Sequence, residues 1–398
     1  MPARFLSSGR YKKVTPPSGS CQPEADDQAE FPGRLLFRPQ QTFALNTQRC
    51  LINRGQFTIP STYHSPNPLG SRQKSAFSQG RARLLHYLDS RSRWLAPVCA
   101  IGLVVPIISE GLAGSSSTVE WLVDLASHWQ WLYLVGLIFA CSVAVLHGRR
   151  RVLWLLVLPL FWLTSAKPEP DVGHVKIPSA SVLTVATFNV HMGNHDTTTL
   201  VQWLDEEKPD VLVLHEVSPG YAKELDALND YPFRHLVPRN DPFGMAVLSR
   251  YPIVQKQTVE DGGGLQHIDA QLDWNGQPIR LTAWHPMPPI SQHDHTKRNR
   301  QLHALAQAAK ASGKPAIVAG DLNATPWSNA FSKLDQSGLR RASGLSPTWP
   351  AVGRGWMGIP IDHVLVTPHW QVVKQGVGPN LGSDHLPVIV RIALRGNE

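Results

Sequence analysis

Cysteine is scarce in this sequence, and its distribution excludes two kinds of cross-linked scaffold. The chain of 398 residues contains four cysteines, and none of them lies beyond Cys141. Four scattered thiols do not make a disulfide framework. No pair of Cys and His residues has the spacing of a structural zinc site. Disulfide-rich and zinc-stabilised folds are therefore set aside.

Basic residues show no excess in the part of the chain where a DNA-binding domain would need them. The formal net charge is +8, but residues 1–93 hold 14 Lys and Arg against 5 Asp and Glu, whereas residues 168–398 hold 20 against 22. A domain that grips DNA usually has a basic footprint of its own. The N-terminal excess is typical of a solvated tail, so the isoelectric point does not indicate nucleic-acid binding.

The first 80 residues show no sustained apolar period. They are rich in Ser, Pro, Gln, Arg and Gly, a composition that buries too little apolar surface to offset the entropy of ordering. We therefore predict a disordered N-terminal arm over residues 1–80.

Charged side chains are absent from three apolar runs, Trp94–Ile108, Trp131–Leu146 and Val152–Leu163. Each is shorter than the roughly 20 residues that cross a bilayer, but flanking residues can extend them. Aromatic residues lie near their ends, as in interfacial belts. A helical soluble domain is the alternative, but the runs lack its polar face. We predict a membrane anchor of about three transmembrane helices within residues 94–167.

The cations around these runs predict an orientation. Arg91 and Arg93 precede the first run, and Arg149–Arg151 separate the second from the third, whereas the first loop carries Glu110 and Glu120. The positive-inside rule then places the N-terminus and the arginine triplet in the cytoplasm. Three crossings put the C-terminal part on the far side, the periplasm of a bacterium with the anchor in its inner membrane. Two crossings would reverse that conclusion.

Short β-like runs alternate with helical stretches beyond a linker predicted over Ser165–Pro178. Helices are expected at Thr197–Glu207 and Arg298–Ala311, and Asn275-Gly276 predicts a hairpin turn. This order predicts an α/β or α+β sandwich of sheets with outer helices. Strands are expected at Val182–Val190, Val211–Val217, Met245–Ser249, Gln266–Trp274, Ile279–Trp284, Ala316–Ala319, Ile361–Val366 and Val388–Ile392.

Three acid-bearing motifs near the C-terminus carry the chemical signal. They are Gly320-Asp321-Leu322-Asn323, Ile361-Asp362-His363 and Ser383-Asp384-His385. An Asp next to a His can orient and stabilise the imidazole as a general base. Carboxylate and carboxamide oxygens are the hard ligands that Mg²⁺ prefers. The motifs therefore predict a site that acts on phosphate esters.

Three further motifs precede these in the chain, namely Thr187-Phe188-Asn189-Val190, His215-Glu216-Val217 and Ala283-Trp284-His285. With all six in order, residues 181–395 resemble the endonuclease/exonuclease/phosphatase superfamily of DNase I-like nucleases, inositol polyphosphate 5-phosphatases and neutral sphingomyelinases. The apolar runs resemble those of its membrane-anchored bacterial members. The resemblance implies a four-layered sandwich of two packed mixed β-sheets flanked by helices, here preceded by the transmembrane helices.

The resemblance also implies a metal site. Glu216 would be the principal ligand of Mg²⁺ or Mn²⁺, with Asn189 beside it. Asp384 would approach the metal or the scissile phosphate.

Five further residues take catalytic roles by the same resemblance. Asp321 would position or deprotonate the attacking water, and Asn323 would donate to the phosphoryl oxygens. Asp362 and His385 would form an Asp–His pair in which the carboxylate fixes the tautomer. His285 would bind a non-bridging phosphate oxygen.

Two departures from the family pattern and three residues in or near loops bear on the substrate. His215 stands where many members have Gln, and His363 stands where nucleases often have Tyr or Phe, which puts nuclease specificity in question. Trp327 and Trp349 could contact a base or a lipid, or pack their loops. Arg298 could contact a phosphate or belong to a solvated face.

The sequence as a whole predicts a membrane-anchored, divalent-metal-dependent phosphoesterase that hydrolyses a phosphodiester in a nuclease-like way by direct water attack. A phospholipid or sphingolipid phosphodiesterase, or a phosphatase, is the first alternative. A catalytically silent, membrane-tethered binding module is the alternative from another class. The expected partners are nucleic acid or phospholipid and the bilayer, and no feature of the sequence indicates a protein partner.

Overall fold

A computed structural model describes residues 69–160 and 181–395. These two ranges belong to one compact unit, with a helical segment followed by a β-sandwich. The predicted linker and the end of the third apolar run lie outside the described residues, as do residues 1–68 of the predicted arm.

The helical segment contains α1 (Leu69–Leu112), α2 (Thr118–Ser127) and α3 (Gln130–Leu146). Because α1 begins at Leu69, residues 69–80 of the predicted arm belong to this helix, and disorder of the arm as a whole stays a prediction. The helix also runs through Pro97 and Pro106, each of which lacks the N–H of a helical hydrogen bond.

Fewer long apolar helices are found in the described residues than the three predicted crossings. Gln79–Leu112 alone is long and apolar enough to cross a bilayer, and α2 with α3 qualifies only as a pair bent by 59°. In the third run, Arg150–Val157 forms a 3₁₀ helix. The described ranges therefore provide one or two candidate spans. The inner-membrane location and the periplasmic side stay predictions.

The sandwich consists of two six-stranded mixed sheets. The strands are β1 (Val182–Asn189), β2 (Val211–His215), β3 (Phe233–Val237), β4 (Met245–Ser249), β5 (Ile253–Gly262), β6 (Leu265–Trp274), β7 (Gln277–Ala283), β8 (Ala316–Asp321), β9 (Arg340–Arg341), β10 (Asp362–Val366), β11 (Trp370–Val377) and β12 (Val388–Leu394). The strand orders are β11-β12-β1-β2-β4-β3 and β5-β6-β7-β8-β10-β9. Each sheet has one parallel pair, β1 with β2 and β7 with β8.

All eight strands predicted from the sequence are present, and the four that were missed are β3, β5, β9 and β11. These four are the edge strands of the two sheets. Most residues of β5 are exposed, and every residue of β3 is only partly buried. An edge strand packs on fewer neighbours and carries polar residues that discourage further pairing. The apolar pattern that reveals a central strand is therefore weak at an edge.

Helices cover both outer faces of the sandwich, and a hydrophobic core fills the space between the sheets. Leu183 and Val213 of the first sheet pack there against Leu281 and Val364 of the second. The first sheet is covered by α4 (Thr198–Glu207) and α5 (Pro219–Glu224), and the second by α6 (Gln292–Ala311). The predicted arrangement of two packed mixed β-sheets flanked by helices is confirmed.

Strand pairing brings polar residues of both sheets to strand ends. The parallel strands β1 and β2 end together, with Asn189 aligned with His215. In the second sheet Asp321, the last residue of β8, is aligned with Asp362, the first residue of β10. Because residues that pair across a ladder lie side by side, the register alone places the carboxylates of Asp321 and Asp362 next to each other.

The glycine of the Gly-Asp-x-Asn motif allows a close approach of two backbones. A Cβ on Gly320 would lie 2.0 Å from the carbonyl oxygen of Trp284 and 3.0 Å from the His215 ring. We expect Gly320→Ala to reduce the free energy of unfolding by about 2–3 kcal/mol, since overpacking of a buried backbone forces it to shift. Chemical denaturation measures the change. Gly220→Ala is the matched control, because its Cβ would meet nothing closer than 3.9 Å, and an equal loss in both variants would contradict the explanation.

Candidate active site

The carboxamide of Asn189 lies at the centre of the site. Its Nδ2 donates to Oε1 of Glu216 at 3.0 Å and lies 3.2 Å from Oδ2 of Asp321. The same nitrogen is 3.4 Å from Nε2 of His385. Asn189 is fully buried at the end of β1, so a single side chain connects acids from both sheets with the imidazole.

The predicted Asp–His pair is present in the structure. Nδ1 of His385 donates to Oδ2 of Asp362 at 2.9 Å, and both residues are buried. This bond directs Nε2 towards Oδ2 of Asp321, 3.7 Å away. Burial alone would lower the pKa of His385, but the carboxylates of Asp362 and Asp321 outweigh burial and raise it to about 10. The imidazole therefore lies in a strongly negative field.

His285 and Asn323 flank Asp321. Nε2 of His285 lies 3.6 Å from Oδ2 of Asp321, and its buried Nδ1 has no hydrogen-bond partner. Asn323 adopts a left-handed backbone with φ of 50°, a conformation that Asn tolerates better than most residues. Its backbone N–H donates to Oδ1 of Asp321, and its carboxamide donates to the carbonyl of Pro286. One carboxamide N–H is left for another acceptor.

The rim contains a histidine, His191, to which the sequence assigned no catalytic or metal-binding role. Nδ1 of His191 lies 3.3 Å from Oδ1 of Asp384 and 3.7 Å from Oε2 of Glu216. The other carboxylate oxygen of Asp384 accepts from Nε1 of Trp349 at 3.1 Å. The available signal was position, since His191 follows Asn189 by two residues in the same strand-end loop. Its imidazole brings the predicted metal ligands Glu216 and Asp384 towards one point.

The charge and the donor atoms of the cavity fit a divalent cation. Among the described residues that line it are the carboxylates Glu216, Asp321 and Asp384, with no lysine or arginine. Such an oxygen-rich, anionic set suits Mg²⁺ or Mn²⁺. Donor atoms of Asp321, Asp362 and His385 also lie within 4.8 Å of one another. These three residues are the less suitable set of metal ligands, because Asp362 and His385 are already hydrogen-bonded to each other.

His215 and His363, the two residues that depart from the family pattern, are packed into the structure around the site. His215 is buried, and its ring packs edge-on against His285 with centroids 5.5 Å apart. Burial lowers the pKa of His363 to about 3. The neutral ring of His363 therefore donates to the carbonyl of Ala324 and accepts from the Ser343 hydroxyl. Both rings contribute to the framework around the site.

The two tryptophans considered for substrate contact differ in position. Trp349 lines the cavity beside His385, with ring centroids 6.4 Å apart. Trp327 is buried and packs edge-on against Trp131 of α3. Of these two tryptophans, Trp349 is therefore the one placed to touch a substrate.

A buried ion pair joins the helical segment to the site. The carboxylate of Asp124, in α2, accepts from Nη2 of Arg298 at 3.2 Å, and both side chains are almost completely buried. Nη1 of Arg298 donates to the backbone carbonyl of Asn323. Arg298 therefore neither contacts solvent nor faces the cavity. Further donors to Asp124 are Ser109, His295, Ser328 and the backbone N–H of Asn329.

The sandwich, with its acids and histidines gathered at the strand ends, has the arrangement expected of a phosphoester hydrolase. The chain belongs to the Endonuclease/Exonuclease/phosphatase family, whose model matches residues 186–385. No curated protein matches the chain.

Several solved structures are similar to this chain. One is D. rerio TDP2 complexed with a single-strand DNA product, with 17% identity, 53% of this chain and 99% of that chain covered, and a TM-score of 0.45. Another is an endonuclease/exonuclease/phosphatase from Beutenbergia cavernae DSM 12333, with 24% identity, 54% and 72% covered, and a TM-score of 0.46. A third, from Bacteroides vulgatus, has 19% identity, 54% and 99% covered, and a TM-score of 0.45.

Binding of Mn²⁺ tests the metal site without reference to activity. We expect Glu216→Gln to weaken Mn²⁺ binding at least about tenfold in titration calorimetry, because the site loses a charged oxygen ligand. Glu224→Gln is the control, since Glu224 is exposed in α5, away from the cavity. Equal affinities of wild type and Glu216→Gln would remove Glu216 from the ligand set.

Loss of the buried carboxylate tests the connection between α2 and the sandwich. We expect Asp124→Asn to destabilise the full chain in detergent by about 3–5 kcal/mol, because Arg298 is left buried without its counter-charge. Denaturant midpoints measure the change. Glu110→Gln, at an exposed acid of α1, is expected to stay within about 0.5 kcal/mol of wild type. A similarly small effect of Asp124→Asn would show that the pair does not hold the two parts together.

Proposed function

We propose that this chain is a membrane-anchored, Mg²⁺- or Mn²⁺-dependent hydrolase that cleaves a phosphodiester by direct attack of water. One observation supports this reaction above others. A carboxylate oxygen of Asp321, Nε2 of His385 and Nε2 of His285 lie together at the floor of one cavity, the two nitrogens being 3.7 and 3.6 Å from that oxygen. A base for water and two donors for phosphoryl oxygens are what hydrolysis at phosphorus requires.

The proposed step forms one bond and breaks one bond at phosphorus. The oxygen of water attacks phosphorus as its proton passes to Asp321. The bond from phosphorus to the leaving oxygen breaks, and that oxygen keeps the electron pair, takes a proton from solvent and departs as an alcohol. Asp362 holds His385 with Nε2 towards the reacting group, while His285 and the free N–H of Asn323 donate to non-bridging oxygens. When bound at Glu216, Asn189 and Asp384, the metal supplies Lewis-acid stabilisation of the phosphoryl charge. No covalent enzyme intermediate is involved.

Exposed apolar side chains support the membrane anchor. Large hydrophobic residues of α1 and α3 face outward, among them Trp94, Ile101 and Phe139. Soluble monomers rarely expose contiguous apolar patches of this kind, and α1 contains the candidate span. We propose that these helices anchor the enzyme in a bacterial inner membrane, with the sidedness that the flanking arginines favour.

The alternatives differ in how well the site supports them. A silent binding module would not need five polar side chains connected by hydrogen bonds beside one cavity, so the contacts among Asn189, Glu216, Asp321, Asp362 and His385 favour an enzyme. The absence of lysine and arginine among the described lining residues favours a substrate with a single phosphodiester group and an otherwise apolar body over a nucleic-acid backbone with its many charges.

Hydrolysis of bis(p-nitrophenyl) phosphate by the full chain tests the reaction. We expect activity that requires Mg²⁺ or Mn²⁺, and we expect Asp321→Ala and His385→Ala to lower kcat by about 10²- to 10⁴-fold, since each removes a proton-transfer or charge-stabilising group. His303→Ala is the control, because His303 lies on α6, where its ring contacts the Ser337 hydroxyl, and it does not line the cavity. Activity that survives in His385→Ala, or in excess chelator, would refute the proposal.

A further inference from the structure

The helical segment forms part of the wall of the catalytic cavity. The cavity has a volume of about 580 Å³, and its lining includes Leu125 of α2 together with His128 and Trp129 of the α2–α3 turn. These residues face the same space as Glu216 and His385. The sandwich therefore provides the reacting groups, and the preceding helices complete the enclosure.

Polar and apolar residues of this cavity are separated. The floor carries the acids and histidines described above. The wall is formed by Leu125 and Trp129 and, from the sandwich, by Phe243, Met287 and Ile290. A phosphoryl group can contact the polar side chains of the floor, but it occupies only a small part of the cavity. Cavities of this volume usually bind whole small molecules. The rest of the substrate must contact apolar side chains.

Three sets of hydrogen bonds fix this wall in place. Nε1 of Trp121 donates to the carbonyl of Pro289 at 2.8 Å, and Nε2 of Gln292 donates to the carbonyl of Ser116 at 2.7 Å. The buried pair of Asp124 and Arg298 adds the third set, next to Leu125 in sequence. Because Pro289 directly precedes Ile290, these contacts hold the two sides of the wall against each other. The apolar surface is thus pre-organised.

The mouth of the cavity continues into exposed apolar surface. Ile290 is 72% exposed and Trp129 is 39% exposed, although both line the cavity. On the adjoining helix Val119 and Leu122 also face outward. Such an edge has the chemistry of a lipid interface. An apolar chain that extends beyond the cavity would therefore meet further apolar side chains at its mouth.

We propose that Leu125 and Trp129 give this enzyme specificity for phosphate esters that carry an alkyl chain, with the phosphoryl group at Asp321 and His385 and the chain along the wall. This inference rests on the proposed phosphoesterase function. It names an amphiphilic substrate, and it makes two residues outside the family-matched region determinants of specificity.

A chain-length series tests the inference. The full chain in amphipol is assayed with ethyl, butyl and octyl p-nitrophenyl phosphate, each below its critical micelle concentration. A buried methylene contributes about fourfold, so we expect kcat/KM for the octyl ester to exceed that for the ethyl ester at least about tenfold. In Leu125→Ala/Trp129→Ala the octyl-to-ethyl ratio is expected to fall about tenfold. Trp94→Ala, at an exposed tryptophan of α1, is expected to keep the wild-type ratio.

The outcomes separate this inference from the function on which it rests. A flat series in wild type, or a ratio retained in Leu125→Ala/Trp129→Ala, overturns the inference while hydrolysis of the ethyl ester still supports the phosphoesterase. No metal-dependent hydrolysis of any ester overturns the proposed function itself. Dioleoyl phosphatidylglycerol in nanodiscs then identifies the source of the chain. Its cleavage by wild type and not by the double variant indicates a bilayer lipid, and cleavage of the octyl ester alone indicates a soluble amphiphile.

Discussion

The carboxylate of Asp124 determines how the helical segment lies on the sandwich. It is fully buried and accepts from Arg298, Ser328 and the backbone of Asn329, all of which belong to the sandwich. A buried ion pair often adds little net stability, because desolvation offsets the attraction, but breaking it is expensive. Its effect is therefore on geometry. Any displacement of α2 leaves a charge in the interior without a partner, so one arrangement is strongly preferred.

That preference extends to the reacting groups through Arg298. Its Nη2 donates to the carboxylate of Asp124, and its Nη1 donates to the backbone carbonyl of Asn323. Asn323 in turn donates its backbone N–H to Asp321. A continuous chain of hydrogen bonds thus runs from α2 to the proposed base. Functional groups need neighbours that fix their orientation, and here one of those neighbours comes from outside the catalytic sandwich.

Much of the fold and nearly all of the residues at the floor of the site could be predicted from the sequence. Central strands and the six motifs were predictable because buried strands are continuously apolar and the motif residues follow them directly, as Glu216 follows β2. Edge strands such as β5 gave no such pattern. Asp124 and Arg298 lie 174 residues apart, and nothing local marks either as a partner of the other. The role of Leu125 and Trp129 in the cavity wall could not be predicted either, because the sequence of an apolar helix does not indicate which other residues its side chains contact.

These contacts change how the two parts of the chain should be regarded. Residues 181–395 contain every predicted catalytic and metal-binding side chain, and this favours the view of a separable catalytic domain on an anchor. The structure shows that such a domain would lose Leu125, His128 and Trp129 from its cavity and would expose buried Arg298 without Asp124. The floor would stay, since its hydrogen bonds lie within the sandwich. On the two proposals above, reaction chemistry and substrate choice are encoded in different segments, and the helical segment that lines the cavity with apolar side chains is also the one that contains the candidate membrane span.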